Sequence, residues 1–526
     1  MKKLRLFLYT FAVALLTGAV SSCYEDKGNY DYTELAEVRI DTVGTGILDY
    51  YSVQRYDVLT LAPNVYYNGR LATDSDPLDY VWTMYATASS AITDYTVDTL
   101  GTERILNAPI TRKAEAYALQ LTVTNREDLT QTYFRVGMRV DEVIAGGWVV
   151  FYECADEPGK SDVGVVMNTL TKRNIVNARE FWDLYTASNG EHLDGVPVRV
   201  RKTVVSLADD PITLVTDKEL VLVNNASFVN TFNFENFFFD PPAVRRIQFY
   251  GNSGMAVRGE MLINDDKVYT TTWNGLSRTN SFGVGSYGDY GELAPWSSDI
   301  KGQNFNSVVY DQTNQRFIKQ NYGTLEMTSF AAQDEDLEFD VNNVGGKMLM
   351  GDYGMGASVQ LPYDYHIFAN GNQRFLTISN FANTNAASTR VGMNKYDITS
   401  SPGIQQATCM ASAGLGQYVL YGSGNKVYNL QYNRSTVADV YWTAPTSGEE
   451  VVCISMQKFY FMTLHRAMLP NPDAVVHIAT WNESTKEGKL YMYQINPASG
   501  AFVGDPFIYT VPGKVKDMCW NSIMGG

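Results

Sequence analysis

Cysteine and histidine are scarce in this sequence. Its 526 residues contain five cysteines and four histidines, and no two cysteines form a Cys-x-x-Cys pair. None of them falls at the spacing of a zinc knuckle or of a paired-histidine motif. The sequence therefore predicts no metal site and no cofactor, and it predicts structural roles for His192, His366, His465 and His477.

The cysteines are too scattered for a disulfide framework. One of them, Cys23, follows an N-terminal apolar segment, and the others lie far apart at Cys154, Cys409, Cys453 and Cys519. Buried free thiols are expected at these four positions, although export from the cytoplasm permits one disulfide.

Long hydrophobic runs are absent too. The apolar segment 6–16 has about 11 residues, which is too short to cross a bilayer, and basic residues precede it. Val20-Ser21-Ser22-Cys23 closes the segment with the pattern at which a bacterial signal peptide is cut and the cysteine is acylated. The sequence thus predicts a lipoprotein signal peptide over 1–22 and an acidic tether over 23–36. Acyl chains such as palmitate on Cys23 are the expected membrane anchor.

Positive charge is in deficit. The chain has 41 Lys and Arg against 57 Asp and Glu, a formal net charge of -16. Because such a surface repels phosphate backbones, nucleic acid is excluded as an expected partner.

Common catalytic motifs are missing as well. The chain has no G-x-S-x-G, H-E-x-x-H or P-loop pattern. Residues 283–288 have the form G-x-G-x-x-G, but no helical pattern follows, so a loop is expected. The acidic run 334–340 lacks the spacing of a calcium loop, and a solvated loop is favoured over calcium binding. The protein is predicted not to be an enzyme, although a site built from distant residues stays open.

Tyrosine and glycine, in contrast, are abundant, with 35 and 42 residues, and long amphipathic helical stretches are few. This composition favours an all-β protein. Between 37 and 143 apolar residues alternate around Leu59, Trp82, Leu119 and Val136, with polar turns between these segments. About 105 residues of this kind suit an immunoglobulin-like β-sandwich.

Residues 145–526 contain a repeated hairpin pattern, in which apolar residues flank a polar turn and a basic residue. Successive basic residues are 49 to 63 positions apart, and they are Lys160, Lys218, Lys267, Arg316, Arg374, Lys426 and Lys489. A period near 50 with short strands is typical of a β-propeller. We predict seven blades, with eight as the alternative.

Two further features interrupt this pattern. A helix is predicted from a cap at Asn177 to a stop at Asn189-Gly190. Aromatic residues occur in glycine-rich segments that are predicted to be loops, where they are candidates for stacking on a ligand, with packing between blades as the alternative: Tyr287, Tyr290, Trp296 and Tyr353.

Several stretches resemble one family. Residues 24–32 (Tyr-Glu-Asp-Lys-Gly-Asn-Tyr-Asp-Tyr), Tyr80-Val81-Trp82, 117–124 and 146–150 are similar to the PKD-like family of Bacteroidota lipoproteins. The resemblance implies a PKD-like sandwich followed by a longer C-terminal β region. It also implies a gene neighbourhood with a TonB-dependent transporter of the starch-utilisation type and its lid lipoprotein. Glu25 and Asp26 resemble the surface-export signal of these bacteria.

Three functions follow from these features. The favoured one is a non-enzymatic lipoprotein on the outer face of the outer membrane, an accessory component of a transporter that takes up oligosaccharide or oligopeptide. The alternatives are a surface enzyme that degrades glycans or peptides and an adhesin that binds host protein.

Overall fold

A computed structural model of the chain describes residues 36–521 except 56, 88–95, 113–114, 142–143, 145, 203–210, 253–259, 272–280, 301–304, 383, 386 and 459–468. The predicted signal peptide, Cys23, most of the tether and His465 lie outside the described residues. Within the described part, no helix is long and apolar enough to cross a membrane.

The N-terminal region is an immunoglobulin-like β-sandwich. A five-stranded sheet, in the order β2-β10-β9-β6-β7, packs against a three-stranded sheet, β1-β4-β5, and a two-stranded sheet, β3-β8. Its strands are β1 (Val38–Asp41), β2 (Tyr50–Gln54), β3 (Val58–Leu61), β4 (Asn64–Tyr67), β5 (Arg70–Leu71), β6 (Leu78–Ala86), β7 (Val97–Gly101), β8 (Leu106–Pro109), β9 (Glu115–Asn125) and β10 (Gln131–Asp141).

Alternation of apolar residues builds the core of this sandwich. Trp82 and Met84 on β6 and Leu119 and Leu121 on β9 are fully buried, with polar neighbours facing outward. The indole N–H of Trp82 donates to the carbonyl oxygen of Glu103 at 3.1 Å, so the polar atom of this large side chain is satisfied.

The described residues after 146 form seven further sheets, most of them four-stranded. The first three contain β11 (Gly147–Cys154), β12 (Lys160–Met167), β13 (Arg179–Phe181) and β14 (Leu193–Asp194); β15 (Pro197–Lys202), β16 (Ile212–Thr216), β17 (Leu220–Val223) and β18 (Asn230–Phe232); and β19 (Ile247–Asn252), β20 (Glu260–Asn264) and β21 (Lys267–Thr270). Short helices lie at α1 (Leu184–Asn189) and, as 3-10 turns, at Phe234–Phe237 and Ile404–Gln406.

The other four sheets follow in sequence order. They contain β22 (Leu293–Ser297), β23 (Phe305–Asp311), β24 (Arg316–Asn321) and β25 (Met327–Ser329); β26 (Lys347–Ser358), β27 (Leu361–Asn370), β28 (Gln373–Ser379) and β29 (Gly392–Asp397); β30 (Cys409–Ser412), β31 (Val419–Ser423), β32 (Lys426–Leu430) and β33 (Asp439–Thr443); and β34 (Glu449–Met456), β35 (Val475–Asn482), β36 (Glu487–Ile495) and β37 (Phe502–Val511). The last strand, β38 (Gly513–Asn521), joins the first sheet beside β11.

These sheets are arranged as a β-propeller. The innermost strands contact one another in the order β38, β15, β19, β22, β26, β30 and β34, and β34 contacts β38, so the ring is closed. Closure comes from β38, which pairs antiparallel with β11, the first strand of the region. All-β architecture and the propeller fold are confirmed, whereas the blade count of the whole chain stays a prediction.

Each predicted hairpin is present, and in all but the three-stranded sheet it forms the middle of the sheet. The basic residues at 160, 218, 267, 316, 374, 426 and 489 all lie in or near the turn of such a hairpin. Neighbouring sheets cover both faces of these strands, so β20, β23 and β35 are buried at every residue. This burial explains why these segments lack the strict alternation of apolar and polar residues that marks the sandwich strands.

The predicted helix is wrong at its start. Arg179–Phe181 is a strand, β13, which pairs with β12, and the helix begins only after Asp183. Asp183 has a left-handed backbone (φ 54°), which ends the strand and separates it from the helix. The stop is confirmed, because Gly190 caps the helix with φ 90°. The apolar periodicity of 177–189 could not show that three of these residues would pair with the free edge of β12, because that pairing depends on the rest of the sheet.

The sandwich and the propeller meet in a buried polar junction. Asp141, at the end of β10, pairs with Lys172 of the first propeller sheet at 2.7 Å and with Arg139 at 2.5 Å. It also accepts a hydrogen bond from the hydroxyl of Ser52. The backbone N–H of Ser52 donates to the carbonyl of Asn174 at 3.1 Å, so main-chain atoms also tie the domains together.

We expect Lys172→Met to weaken this junction by roughly 1–3 kcal/mol, the usual cost of losing a hydrogen bond to a buried charge. Burial raises the pKa of Asp141. Its partners Lys172, Ser52 and Arg139 together lower this pKa by more than burial raises it, so the pKa lies below its ordinary value of 3.8. The stabilisation by Asp141 is therefore present above pH 4 and lost as the pH falls through the lowered value. Calorimetry at pH 7 and at acidic pH measures both effects. If the variant were as stable as the parent at both pH values, contacts other than the pair of Asp141 and Lys172 would hold the two domains together.

Candidate functional site

A polar cavity lies on the propeller axis. It has a volume of about 360 Å³ and is lined by residues of β15, β19, β22, β26 and β38, the innermost strands of five sheets. A site at the centre of the ring can collect side chains from segments that are distant in sequence. Apart from Asp364 on β27, its lining residues fall on or shortly after these five strands, between residues 198 and 517.

Alternating charges form the wall of this axial cavity. Arg199 pairs with Asp299, and Arg201 pairs with Asp517 at 2.7 Å and approaches Asp299 at 3.8 Å. Asp517 also accepts the backbone N–H of Val200 at 2.9 Å. The four side chains come from three different sheets, so the chain of ion pairs fixes the relative positions of those sheets.

Both arginines are buried or half-buried cations whose charge is fixed by their partners. Burial and the nearby Arg201 lower the pKa of Arg199. Burial also opposes the charge on Arg201, but Asp517 and Asp299 raise the pKa of Arg201 above its ordinary value. Since the guanidinium of arginine does not lose its proton in proteins, both side chains remain cationic at neutral pH. The guanidinium of Arg199 also lies 4.0 Å from the ring centroid of Phe249.

One acceptor in this wall is unused. Within the described residues, Oδ1 of Asp299 is buried and has no hydrogen-bond partner. A buried carboxylate oxygen without a donor is costly. A ligand hydroxyl or N–H group that reached this atom would remove that cost.

Tyr353, on β26, also lines the cavity. The ammonium of Lys458 lies 4.5 Å from the centre of its ring and pairs with Asp352 at 2.5 Å. The same ammonium donates to the carbonyl of Ser412 at 2.8 Å, which ties β26 to β30. Burial raises the pKa of Tyr353, so its phenol is neutral, and its hydroxyl donates to the carbonyl of Lys458 at 3.4 Å.

Trp296 also lines the cavity, but most of its ring is covered. It is only 6% exposed, and it packs edge-on against His366 and Phe317, with ring centroids 4.6 Å and 5.8 Å away. The sequence placed Trp296 on a glycine-rich loop, whereas it lies on β22, an innermost strand. It therefore lines the cavity and belongs to the hydrophobic core at once.

Tyr287 and Tyr290 do not line this cavity. Tyr287 is 60% exposed and bridges to Glu326, next to β25 on the outer side of the fourth sheet. Tyr290 is half-buried, and its hydroxyl lies 2.8 Å from the hydroxyl of Ser286. Of the four candidate rings, the structure brings together Trp296 and Tyr353 only. A ligand-binding role for any of the four stays a prediction.

Two of the predicted structural histidines are buried among aromatic rings. His366 packs between Trp296 and Phe317, and His477 stacks on Trp148 with centroids 4.1 Å apart. Burial lowers the pKa of each to about 3, so both imidazoles are neutral. No helix follows the glycines at 283–288, which confirms a loop there.

The four described cysteines are free thiols, and three residues of the acidic run have partners of their own. Cys154, Cys409, Cys453 and Cys519 are free thiols, and burial raises their pKa. In the acidic run, Asp334 and Asp336 pair with Arg390 at 2.9 Å and 2.7 Å. Glu338 accepts the backbone N–H of Lys395 at 2.7 Å.

The charged residues of the axial cavity were missed by the sequence analysis. One signal was available: Arg199 and Arg201 alternate with valines on β15, so both must point to the same side of a central strand. Buried arginines need partners, which marks that side as a polar site. The identity of those partners could not be inferred, because Asp299 and Asp517 are about 100 and 316 residues away.

Comparison with known proteins supports the N-terminal assignment. The model of the PKD-like family matches residues 23–197. The matched span contains the sandwich, the junction with Lys172 and strands β11 to β14 of the first propeller sheet. No curated protein matches the chain.

Several solved structures are similar at low identity. A quinonprotein alcohol dehydrogenase-like protein from Bacteroides thetaiotaomicron has 11% identity and a TM-score of 0.39, with 93% of this chain and all of that chain covered. Sqt1 of Saccharomyces cerevisiae has 9% identity and a TM-score of 0.36, covering 71% of this chain and 86% of its own. The β-propeller domain of Myceliophteria thermophila Cps50 (Swd1) has 9% identity and a TM-score of 0.30, covering 57% and 97%.

Proposed function

We propose that this protein is a non-enzymatic lipoprotein on the outer surface of the outer membrane, and that it serves a TonB-dependent transporter as an accessory binding component. The axial cavity is the observation that carries the proposal. It combines fixed charges, an unused acceptor on Asp299 and three aromatic rings, Phe249, Trp296 and Tyr353, in one cavity that is open on one side. Ligand sites typically have a few well-placed polar groups and volumes of about 300–1,000 Å³.

The ligand class follows from the lining. Oligosaccharides and oligopeptides both present several hydroxyl or amide groups beside apolar faces, which match paired charges next to Trp296 and Tyr353. The volume of about 360 Å³ suits one end of such a chain rather than its whole length. The transporter and its lid lipoprotein enter this proposal through the resemblance to PKD-like lipoproteins. The family match over 23–197 supports the PKD-like part of that resemblance.

Binding rather than turnover is favoured by the state of the charged groups. Arg199, Arg201 and Lys458 each hold a carboxylate or a backbone carbonyl, and both buried histidines are neutral. General acid–base chemistry needs a group whose pKa is matched to the working pH. Incubation of the purified protein with oligosaccharide and peptide pools should therefore leave both pools unchanged. Accumulation of cleaved products would favour the enzyme alternative.

We expect Leu349→Trp to abolish ligand retention without lowering the melting temperature. Leu349 lines the axial cavity and is 42% exposed, so a larger ring fills the volume without entering the core. Leu415→Trp is a matched control, because Leu415 is also 42% exposed and lies elsewhere, after β30. Retention on an immobilised oligosaccharide or oligopeptide pool is the readout. Equal retention by both variants would show that the ligand does not bind in the axial cavity.

A further inference from the structure

A second cavity lies at the turns of the sixth propeller sheet, between the fifth and the seventh. We call it the turn cavity, and its volume is about 370 Å³. Its walls come from the turn between β30 and β31, the turn between β32 and β33, the turn between β36 and β37, and Met355 on β26. No described residue lines both this cavity and the axial cavity.

Hydrogen bonds hold three of these walls in place. The backbone N–H of Met355 donates to the carbonyl of Ala413, just after β30, at 2.7 Å. The hydroxyl of Tyr365 donates to the carbonyl of Met355 at 2.6 Å, and it lies 2.9 Å from the hydroxyl of Tyr432 in the β32–β33 turn. Because these contacts form without a ligand, the turn cavity is pre-organised, which lowers the entropic cost of binding.

One cation of the turn cavity is unpaired. Arg434 lies in the β32–β33 turn and is exposed. Among the described residues it is the one arginine whose side chain has neither an ion pair nor a hydrogen bond. No acidic residue lines the turn cavity, although the chain as a whole is acidic. A guanidinium binds a carboxylate through two parallel hydrogen bonds, so this side chain favours an anionic ligand.

Two further groups in the turn cavity can donate a hydrogen bond to an anion. Nδ2 of Asn433 donates to Oε1 of Gln417 at 2.6 Å. This bond occupies the oxygen of Gln417, and its Nε2 has no partner among the described residues. Tyr418 is 1% exposed, and its hydroxyl has no partner in the described part of the chain. Burial raises the pKa of Tyr418, so this hydroxyl keeps its proton and can donate it.

We propose that the turn cavity binds a ligand through a carboxylate group, with Arg434 as the ion-pair partner and Gln417 and Tyr418 as further donors. Leu415 and Met355 supply an apolar wall beside the charged group. Two kinds of ligand present such a carboxylate: the carboxyl end of a peptide and an acidic sugar. The volume suits one terminal residue of either.

This inference does not rest on the proposed transport role, and it concerns a different ligand group from the axial cavity. Neutral oligosaccharides, and peptides immobilised through their carboxyl groups, present no carboxylate. Leu415→Trp should therefore retain both as the parent does, and it remains a control for Leu349→Trp.

Calorimetric titration of the full-length protein tests the turn cavity with two pairs of probes. One pair is N-acetyl-alanyl-alanine and its carboxyl amide, and the other is digalacturonic acid and its methyl ester. We expect at least one of the two acids to bind, and neither the amide nor the ester to bind measurably. Binding of the peptide acid alone would identify the ligand as a peptide end, and binding of the digalacturonic acid alone would identify it as an acidic sugar.

Arg434→Gln should lower the affinity for the acid that binds on the order of 10–100-fold, the usual effect of losing a hydrogen bond to a charged group. This side chain is exposed and unpaired, so the variant should fold as the parent does. Lys426→Gln is the control, because it removes one positive charge from the other end of the same sheet, at the β31–β32 turn.

The proposal is overturned if neither acid binds, or if the amide or ester binds as tightly as its acid. It is also overturned if Arg434→Gln binds the acid as the parent does, or if Lys426→Gln loses as much affinity as Arg434→Gln.

Discussion

Replacing Cys23 by alanine should release the protein from the membrane and leave both domains folded. Acyl chains supply about 0.8 kcal/mol per buried CH₂, so two or three chains make attachment effectively permanent, and removing them removes the whole anchor. The first described strand, β1, begins only at Val38, so the substitution lies 15 residues from the sandwich. Fractionation of cells after a salt wash measures the effect.

The matched control is Cys409→Ala, which removes a thiol from the propeller and should stay in the membrane fraction. Retention of Cys23→Ala in the membrane after the wash would mean that another part of the chain provides the anchor.

Trp82→Ala should unfold the sandwich and spare the propeller. Trp82 is fully buried in the core of the first domain, and removing such a side chain costs about 3–5 kcal/mol. That loss is comparable to the whole stability of a 100-residue domain. The propeller should persist because β38 closes its ring on β11 without help from the sandwich. Calorimetry should show two transitions in the parent and one in the variant.

Tyr133→Ala is the control for this experiment. Tyr133 is an aromatic residue of the same sheet, but it is 57% exposed, so its removal should change the melting temperature little. A single transition in the parent that Trp82→Ala abolishes would show that the junction of Asp141 and Lys172 makes the two domains one cooperative unit.

Much of the fold was predictable because its determinants are local. Alternation identifies the sandwich strands, and each propeller hairpin has a turn with residues suited to it. Asp265 and Asp266, for example, adopt positive φ angles of 50° and 56° between β20 and β21. The closure by β38 was not predicted, because pairing between Trp148 and Trp520 leaves no local trace in the sequence.

The candidate site was harder to predict for the same reason. The sequence predicted four aromatic residues in glycine-rich segments as ligand contacts. Whether such a residue reaches the axial cavity depends on whether its strand is the innermost one of its sheet. Trp296 and Tyr353 lie on innermost strands, whereas Tyr287 and Tyr290 do not. Ion pairs such as that of Arg201 with Asp517 form only when the ring closes, so neither partner can be chosen from its own neighbours in sequence.

Affinity purification from detergent-solubilised outer membrane tests the central claim most directly. A tagged parent protein should recover a TonB-dependent transporter and its lid lipoprotein in amounts comparable to its own, and Cys23→Ala, once released from the membrane, should recover neither. Recovery of the parent protein without any transporter, under conditions that keep both in solution, would contradict an accessory role in nutrient uptake.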